Sequence, residues 1–348
     1  MSIFDLIMAQ EVVAYWEELR QDEAPYPTEE LFPTQKKLGL NLSWIKGARG
    51  LPVVLKTSAF DAAAIPRPRI GFEKLETEMP FFKESKYIDE ELRQQLNMVL
   101  ETGNQAYVNT VLTRIFDDEM SLLRGARASR ERMRMMALTT GTIVMANNGQ
   151  QFEYDYGIPD ANKVDASANW SDTTNSDPVE DIRQLKEDIY SRTGVTVSRA
   201  MCDSTTWRYI RDNQKIKNQI YAIRPIVGAL NDSMVRQFIS DQLDGFTIYV
   251  NEMRYVDEAG NTQKFMPENT FVVFPSGALG NTWFGTTPAE SDLMSGSAAN
   301  VAITDTGVAV VTAKKVDPVN VETIVSMICL PSMEQADHIG IIDTKPNA

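Results

Sequence analysis

The sequence predicts an α+β protein in which one long helix is combined with strands from distant parts of the chain. Three observations support this class. After Asn104, apolar residues keep to one half of a helical wheel for about thirty residues. From Gly141 the apolar period changes to two, and the Asn-Gly pair at 148–149 favours a tight hairpin turn. Strand-like runs return at 308–311 and 321–330, after a region of mixed helices and strands.

The N-terminal region is predicted to form a helix followed by an extended arm. Apolar residues recur at spacings of three and four over 3–19, which is typical of an amphipathic helix. Prolines between 25 and 33 then block helix continuation. From Asp5 to Glu30 there are eight acidic residues and one basic residue, Arg20. We expect this arm either to contact a basic neighbour or to present a solvated acidic face.

Residues 65–88 form an unusual segment after the strand-like runs over 51–64. Large apolar side chains, including Phe81 and Phe82, are mixed with charges and show no steady period over the whole length. A long loop carrying large apolar groups is more typical of a functional or partner-covered segment than of one free in water. Next, a helix over 89–103 is predicted from a capping residue and an apolar side.

The long helix carries an arginine cluster beside its apolar stripe. Arg127, Arg130 and Arg134 are spaced at i, i+3 and i+7, and Arg124 and Arg132 lie nearby. The chain has 34 Lys+Arg against 48 Asp+Glu and a net charge of -14, so a basic cluster is unexpected. We expect it to pair with acidic groups of a neighbour or of the arm, or else to form a solvated helix face.

Beyond the hairpin, a mixed α+β lobe is predicted. Its clearest signal is a helix with Asp177 as its N-cap, Pro178 in its first position and Gly194 beyond its end. The other predicted elements are strands at 195–201, 246–251 and 270–274, and helices at 203–212 and near 230–240.

The sequence offers little that supports catalysis. The single histidine, His338, has no visible partner set and is expected to be a solvated surface residue. Cys202 and Cys329 have no short spacing, which argues against a disulfide framework or a zinc cluster. Residues 43–46 match S-x-x-K but lack its companion motifs. The carboxylates at 117–119 diverge by about 100° each on a helix and are expected to be solvated. No catalytic, metal or cofactor site is predicted.

Composition also limits the partners. The acidic excess opposes binding of duplex nucleic acid through a broad basic surface. No apolar run approaches the ~18 residues of a membrane span, and the first twenty residues carry acids where a secretory signal has bases. We therefore expect neither membrane contact nor secretion, and the cysteine usage favours a reducing compartment.

Three stretches carry a resemblance to a known family. They are Tyr154-Asp155-Tyr156-Gly157, then Phe265-Met266-Pro267-Glu268-Asn269-Thr270 running through Phe274-Pro275, Gly280 and Gly285, and finally Ile328-Cys329-Leu330-Pro331. None of them is a catalytic motif. Together with the long helix, in this order, they resemble the lambda-like major capsid protein E family of tailed phages, which has the Hong Kong 97-like capsid fold. The resemblance implies that these residues determine the fold, as a turn after a strand, a hairpin and glycines where the backbone bends.

The resemblance implies five segments. These are an N-terminal arm at 1–55, a protruding E-loop at 56–90, a peripheral domain with a spine helix at 91–160, an axial domain at 161–300, and C-terminal strands at 301–348 that return to the peripheral domain. It implies a structural head protein, not an enzyme, that self-assembles into hexamers and pentamers of an icosahedral shell around double-stranded DNA. An encapsulin-like shell protein is the alternative within the fold, and an unrecognised carboxylate-dependent enzyme is the alternative outside it.

The implied partners are further copies of the chain, a scaffold and a portal, with weak non-specific contact to packaged DNA. Whether a decoration protein binds stays open. The implied location is the virion capsid, after assembly in the host bacterial cytoplasm. The shell is expected to lack covalent links between subunits, because Lys83 and Lys86 lie in a charged run that favours the ammonium form. The residues expected at inter-subunit contacts are Arg67, Arg69, Phe81, Phe82, Arg127, Arg130 and Arg134.

Overall fold

A computed structural model describes residues 7–46, 73–88, 90, 94–95, 98, 105–147, 150–223, 230–294, 300–316 and 319–346. The chain forms two compact units, each assembled from three separate segments. Unit 1 comprises Met1–Leu42, Glu76–Arg134 and Asn281–Ser332, and unit 2 comprises Ser43–Leu75, Met135–Gly280 and Met333–Ala348.

Seven α-helices and seventeen strands lie in the described ranges. The helices are α1 (Ala9–Arg20), α2 (Gln105–Thr140), α3 (Pro178–Thr193), α4 (Ser204–Asp212), α5 (Gln214–Ile223), α6 (Asp232–Gln242) and α7 (Pro288–Met294). The strands are β1 (Thr34–Lys36), β2 (Asn41–Lys46), β3 (Glu73–Glu78), β4 (Phe81–Tyr87), β5 (Thr142–Asn147), β6 (Gln150–Asp155), β7 (Lys163–Asp165), β8 (Arg199–Cys202), β9 (Thr247–Val250), β10 (Arg254–Val256), β11 (Thr262–Lys264), β12 (Thr270–Phe274), β13 (Thr282–Phe284), β14 (Asn300–Thr304), β15 (Val308–Val316), β16 (Val319–Pro331) and β17 (Gly340–Asp343).

Unit 1 is built around β16, the longest strand of a six-stranded sheet. The strand order is β1-β13-β16-β15-β14, and β4 also pairs with β16. Both β15 and β4 run antiparallel to β16, so that Thr323 of β16 lies between Thr312 of β15 and Lys86 of β4. β1 pairs in parallel with β13. The predicted arm therefore contributes a strand to this sheet.

Helices α1 and α2 cover the face of this sheet that carries Thr312 and Thr323. The main-chain N–H of Ala9 in α1 donates to Oγ1 of Thr312 at 3.1 Å. The hydroxyl of Thr323 donates to Oε1 of Glu119 in α2 at 2.7 Å. Residues paired across antiparallel strands share a face, so both helices lie on the same side of the sheet. The buried valines of this face are Val308, Val310, Val321 and Val325.

Unit 2 contains a five-stranded sheet with the order β7-β17-β12-β8-β9. Helix α3 begins at Pro178 because the side chain of Asp177 accepts a hydrogen bond from the main-chain N–H of Glu180. It ends at Gly194, whose φ of 72° lies in the left-handed region that glycine tolerates. Both predicted boundaries are confirmed. The apolar side of α3 adds Ile182, Leu185 and Ile189 to the core of unit 2.

Other predicted elements are confirmed as well. α2 begins at Gln105, directly after Asn104, where the helical pattern was predicted to start. β5 pairs with β6 from Thr142↔Asp155 to Asn147↔Gln150, which is the predicted hairpin. Helix α4 and strand β12 coincide with the predicted elements at 203–212 and 270–274 to within one residue.

Several predicted elements differ from the structure. Within the described residues the N-terminal helix begins at Ala9, because Met8 is extended with φ -99° and ψ 151°, and the part of the prediction over 3–6 lies outside those residues. Part of the segment predicted to lack a regular period forms β4, which is fixed by pairing with β16 rather than by its own pattern. Helix α5 was not predicted. The strand-like runs at 51–64 and most of the helix at 89–103 lie outside the described residues.

The end of the chain contributes to both units. β14, β15 and β16 belong to the sheet of unit 1. Met333–Ala348 belongs to unit 2, because β17 pairs with β12 on one side and with β7 on the other. The peripheral and axial domains, with 301–348 returning to the peripheral one, stay a prediction.

Candidate functional site

The arginine cluster of α2 is buried in unit 1 rather than solvated. Arg127, Arg130 and Arg134 are each at most 5% exposed. A buried guanidinium requires hydrogen-bond and charge partners, because it cannot lose its proton in a protein. Each of the three donates a hydrogen bond to an oxygen atom of a residue distant in sequence. The solvated helix face is therefore the wrong alternative for these three residues.

Arg127 binds the acidic arm. Its Nη1 lies 3.0 Å from Glu23 and its Nε lies 3.0 Å from Glu29. A further guanidinium N–H donates to the main-chain oxygen of Ala24 at 3.2 Å, and the group lies 4.9 Å from the ring centroid of Tyr26. Burial alone lowers the pKa of Arg127, but the hydrogen bond and charge of Glu29, helped by Glu23, raise it overall. The arm is thus fixed to α2 by a charged cluster, which is one of the two partners predicted.

Arg130 shares the carboxylate of Asp305 with Arg20. Arg130 Nη2 lies 2.7 Å from Asp305, and Arg20, in the last turn of α1, pairs with the same side chain. Asp305 and Thr306 have φ of 50° and 72° in the turn between β14 and β15. This left-handed region is unfavourable for a β-branched threonine. One carboxylate therefore joins α1, α2 and a strained turn.

Arg134 lies beside a buried glutamate. Its Nε donates to Oγ1 of Thr282 at 2.8 Å, and its Nη1 is 3.7 Å from Glu131. Glu131 is fully buried and also accepts a hydrogen bond from the hydroxyl of Thr28 in the arm. Burial raises the pKa of Glu131 to about 7, against the lowering effects of Thr28 and Arg134. Burial disfavours the charged form of Arg134 in the same way, and for a cation this lowers the pKa.

The two phenylalanines of β4 lie on opposite faces of the strand. Phe81 is 46% exposed, and Tyr87, on the same face, is similarly exposed. Phe82 is half-buried and pairs with Met327 of β16 on the other face. Lys83 is exposed. The exposed ring of Phe81 is thus available for a partner, and contact with another subunit stays a prediction. Arg67 and Arg69 lie outside the described residues.

The groups considered for catalysis are mostly buried. His338 was expected at the surface but is buried in a short 3-10 turn, where its main-chain N–H donates to Gln335. Cys202 and Cys329 are free thiols, and burial raises the pKa of both. Across the described ranges no cluster of His, Cys, Asp or Glu is arranged to hold a metal ion. In the same ranges no helix combines the length and apolarity needed to cross a bilayer.

One residue of the 117–119 run contradicts the predicted solvated face. Asp117 and Asp118 are exposed, as expected, whereas Glu119 is 3% exposed and accepts the hydrogen bond of Thr323. The run is therefore divided between solvent and the sheet.

The stretches that carry the family resemblance have structural roles. Tyr154 and Tyr156 pack edge to face at 4.9 Å, and Trp44 lies 5.5 Å from Tyr154. Gly157 follows with φ of 62°, and its N–H donates to Asp155 Oδ1 at 2.8 Å. The C-terminal stretch 328–331 lies in β16. These positions stabilise turns and strands, as the family resemblance implied.

Sequence reasoning missed several partners of the arginines. Glu23 and Glu29 belong to the acidic arm that was recognised, but they were not matched to Arg127. Asp305 was not considered, although the Asp-Thr-Gly run between two strand patterns is a hairpin signal. Glu131 was missed because an isolated glutamate in a charged helix stretch gives no sign of burial.

The comparisons agree with a structural protein of this fold. The model of the family described as phage major capsid protein E matches residues 22–342, so the chain belongs to that family. It is a phage major capsid protein, a structural component of the virion. No curated protein matches the chain significantly.

Solved structures show the same fold at low identity. A protein assigned as the capsid protein of a prophage in E. coli CFT073 is 16% identical with a TM-score of 0.62, over 97% of this chain and 99% of that one. A phage-related protein of Bordetella bronchiseptica RB50 is 12% identical with a TM-score of 0.57, over 98% of both chains. A chain of the cyanophage A-1(L) capsid asymmetric unit is 10% identical with a TM-score of 0.50, over 90% of this chain and 91% of that one.

Proposed function

We propose that this capsid protein assembles through its own copies into hexamers and pentamers of an icosahedral shell that encloses double-stranded DNA. The match of the capsid family across residues 22–342, which spans both compact units, carries this proposal. The chain has no catalytic role in it, and the arrangement of its candidate residues supports that view: the thiols and the histidine are buried.

The exposed face of β4 supports an inter-subunit contact. Phe81 and Tyr87 lie on one face, with Lys83 and Ser85 between them. Single exposed apolar residues are ordinary, but two large rings on the outer face of one strand are more typical of a contact surface. We infer that this face is covered by a neighbouring subunit in the shell.

The charge of the chain supports a shell that does not bind its contents tightly. A net charge of -14 opposes broad contact with phosphates, so packaged DNA would meet the wall through weak, non-specific contacts. A scaffold and a portal are proposed as further partners during assembly in the host cytoplasm.

Sedimentation and negative-stain electron microscopy of the expressed protein test this function. We expect capsomers or shells, because an obligate assembly buries well over about 2,000 Å² per protomer. A compact 39.0 kDa monomer at every protein concentration, also with scaffold supplied, would contradict assembly. Particles from infected cells that contain a cargo enzyme instead of a genome would favour the encapsulin-like alternative.

A further inference from the structure

The carboxyl group of Glu119 is enclosed between α2 and the sheet of unit 1. Its Oε1 accepts the hydroxyl proton of Thr323 at 2.7 Å. Its Oε2 is buried and, within the described ranges, has no hydrogen-bond partner. An ionised carboxylate offers about four acceptor sites, so leaving one oxygen without a donor makes the charged form costly in this position.

The nearest charges do not compensate this carboxylate. Asp118, the preceding residue of α2, repels a negative charge on Glu119. Lys86 of β4 attracts it, but the Lys86 Nζ donates to the main-chain oxygen of Asp118 at 3.0 Å. The closest cation is therefore engaged one residue away from the buried group.

The other elements around Glu119 contribute polar groups rather than close charges. β16 offers the hydroxyl of Thr323, and β15 offers Thr312, whose oxygen accepts from α1. β15 also carries Lys314, which is exposed near the end of the strand, and β4 carries Glu84, which is exposed on the same strand face as Lys86. α1 contributes Tyr15, whose hydroxyl donates to another carboxylate of α2. A proton is thus the simplest way to neutralise the group without moving β4.

The pKa of Glu119 agrees with this geometry. Burial raises it to about 7, and the hydrogen bond from Thr323 and the charge of Lys86 only partly oppose the rise. When the contact opens, the carboxyl group returns to water and its pKa returns to the ordinary value of 4.5. Because the closed state binds the proton more tightly, the contact is strongest below about pH 4.5 and weakens as pH rises to about 7.

We propose that Glu119 is a proton-dependent contact that holds strands β16 and β4 against α2 while it is protonated and loosens that edge of the sheet when it ionises. On ionisation, Lys86 turns from the carbonyl oxygen of Asp118 toward the carboxylate, which changes the position of β4 on the helix. This goes beyond the proposed function, because the contact lies within one subunit and does not depend on assembly.

Amide hydrogen exchange of β4 in the full-length protein tests this contact. After correction for the intrinsic rate, we expect protection of residues 81–87 to fall about 30-fold between pH 5.5 and pH 8. Glu119→Gln should abolish this pH dependence, because its neutral amide cannot ionise. Lys86→Met should shift it to higher pH.

Glu131→Gln is the matched control. It removes a second buried glutamate of α2 whose pKa is also about 7 but which faces the arm, so β4 should keep its pH dependence. Circular dichroism establishes that each variant folds. The proposal is overturned if β4 of the parent protein shows no pH dependence, or if Glu119→Gln retains it.

Discussion

Replacing Arg127 by Ala should release the N-terminal arm from α2. The side chain is 5% exposed and holds two carboxylates that are each 27% exposed. Removing one partner of a buried pair costs about 3–5 kcal/mol, but Glu23 and Glu29 can regain water, which reduces the cost. Loss of the contact with Tyr26 adds about 0.5–1 kcal/mol. We expect the docked arm to lose about 3 kcal/mol.

Limited trypsin digestion measures this loss locally. Cleavage after Lys36 requires opening of β1, so its rate follows the population of the released arm. A loss of about 3 kcal/mol corresponds to cleavage about 100-fold faster in Arg127→Ala. Both proteins are compared in the same assembly state, which sedimentation establishes. Added salt should accelerate cleavage of the parent protein, because it screens the ion pairs.

Arg124→Ala is the control for this experiment. Arg124 also pairs with Glu23, at 2.7 Å, but its side chain is 52% exposed. An exposed pair contributes about 0–1 kcal/mol, so cleavage should change less than about fivefold. Equal cleavage rates in the two variants would refute the conclusion that the buried cluster fixes the arm.

The remaining predictions concern assembly. Phe81→Ser should lower particle yield while leaving the circular dichroism of the subunit unchanged, since each buried contact loses on the order of 1–2 kcal/mol. Phe82→Ser should instead lower the unfolding midpoint, because its half-buried side chain lies on the same face of the sheet as buried Met327; the reverse pattern would contradict our assignment of the two faces. Mature particles boiled in detergent should run as a 39.0 kDa band, and a ladder of multimers under reducing conditions would show that covalent links exist.

Local signals in the sequence were sufficient for elements whose ends are determined by neighbouring residues. Asp177 and Gly194 cap α3 through contacts within one turn, so their residue types predict both ends. The hairpin of β5 and β6 is similarly local. β4 depends on pairing with a distant strand, which its own pattern of exposed and half-buried residues does not reveal.

The sequence identified the arginines of the candidate site but not the carboxylates with which they pair. The arginine spacing identifies Arg127, Arg130 and Arg134 as one group, and the acidic arm identifies a complementary segment. Their contacts join residues about a hundred or more positions apart, as for Arg127 with Glu29 or Arg130 with Asp305. Burial of Glu119 beside exposed Asp118 likewise follows from the position of β16 and not from the run of acids.

Unit 1 is assembled from three segments that lie far apart in the chain, so it cannot fold until most of the chain has been synthesised. Glu119 and Thr323 are 204 residues apart, and Ala9 and Thr312 are 303 apart. At about 5–20 residues per second, a ribosome needs about 10–40 s to make the chain between Glu119 and its strand partner. During that time α1 lacks β14 and β15, on which it packs, and α2 lacks β16. Unit 1 can therefore close only late in translation, and the apolar sides of α1 and α2 stay open to aggregation and to chaperones until then.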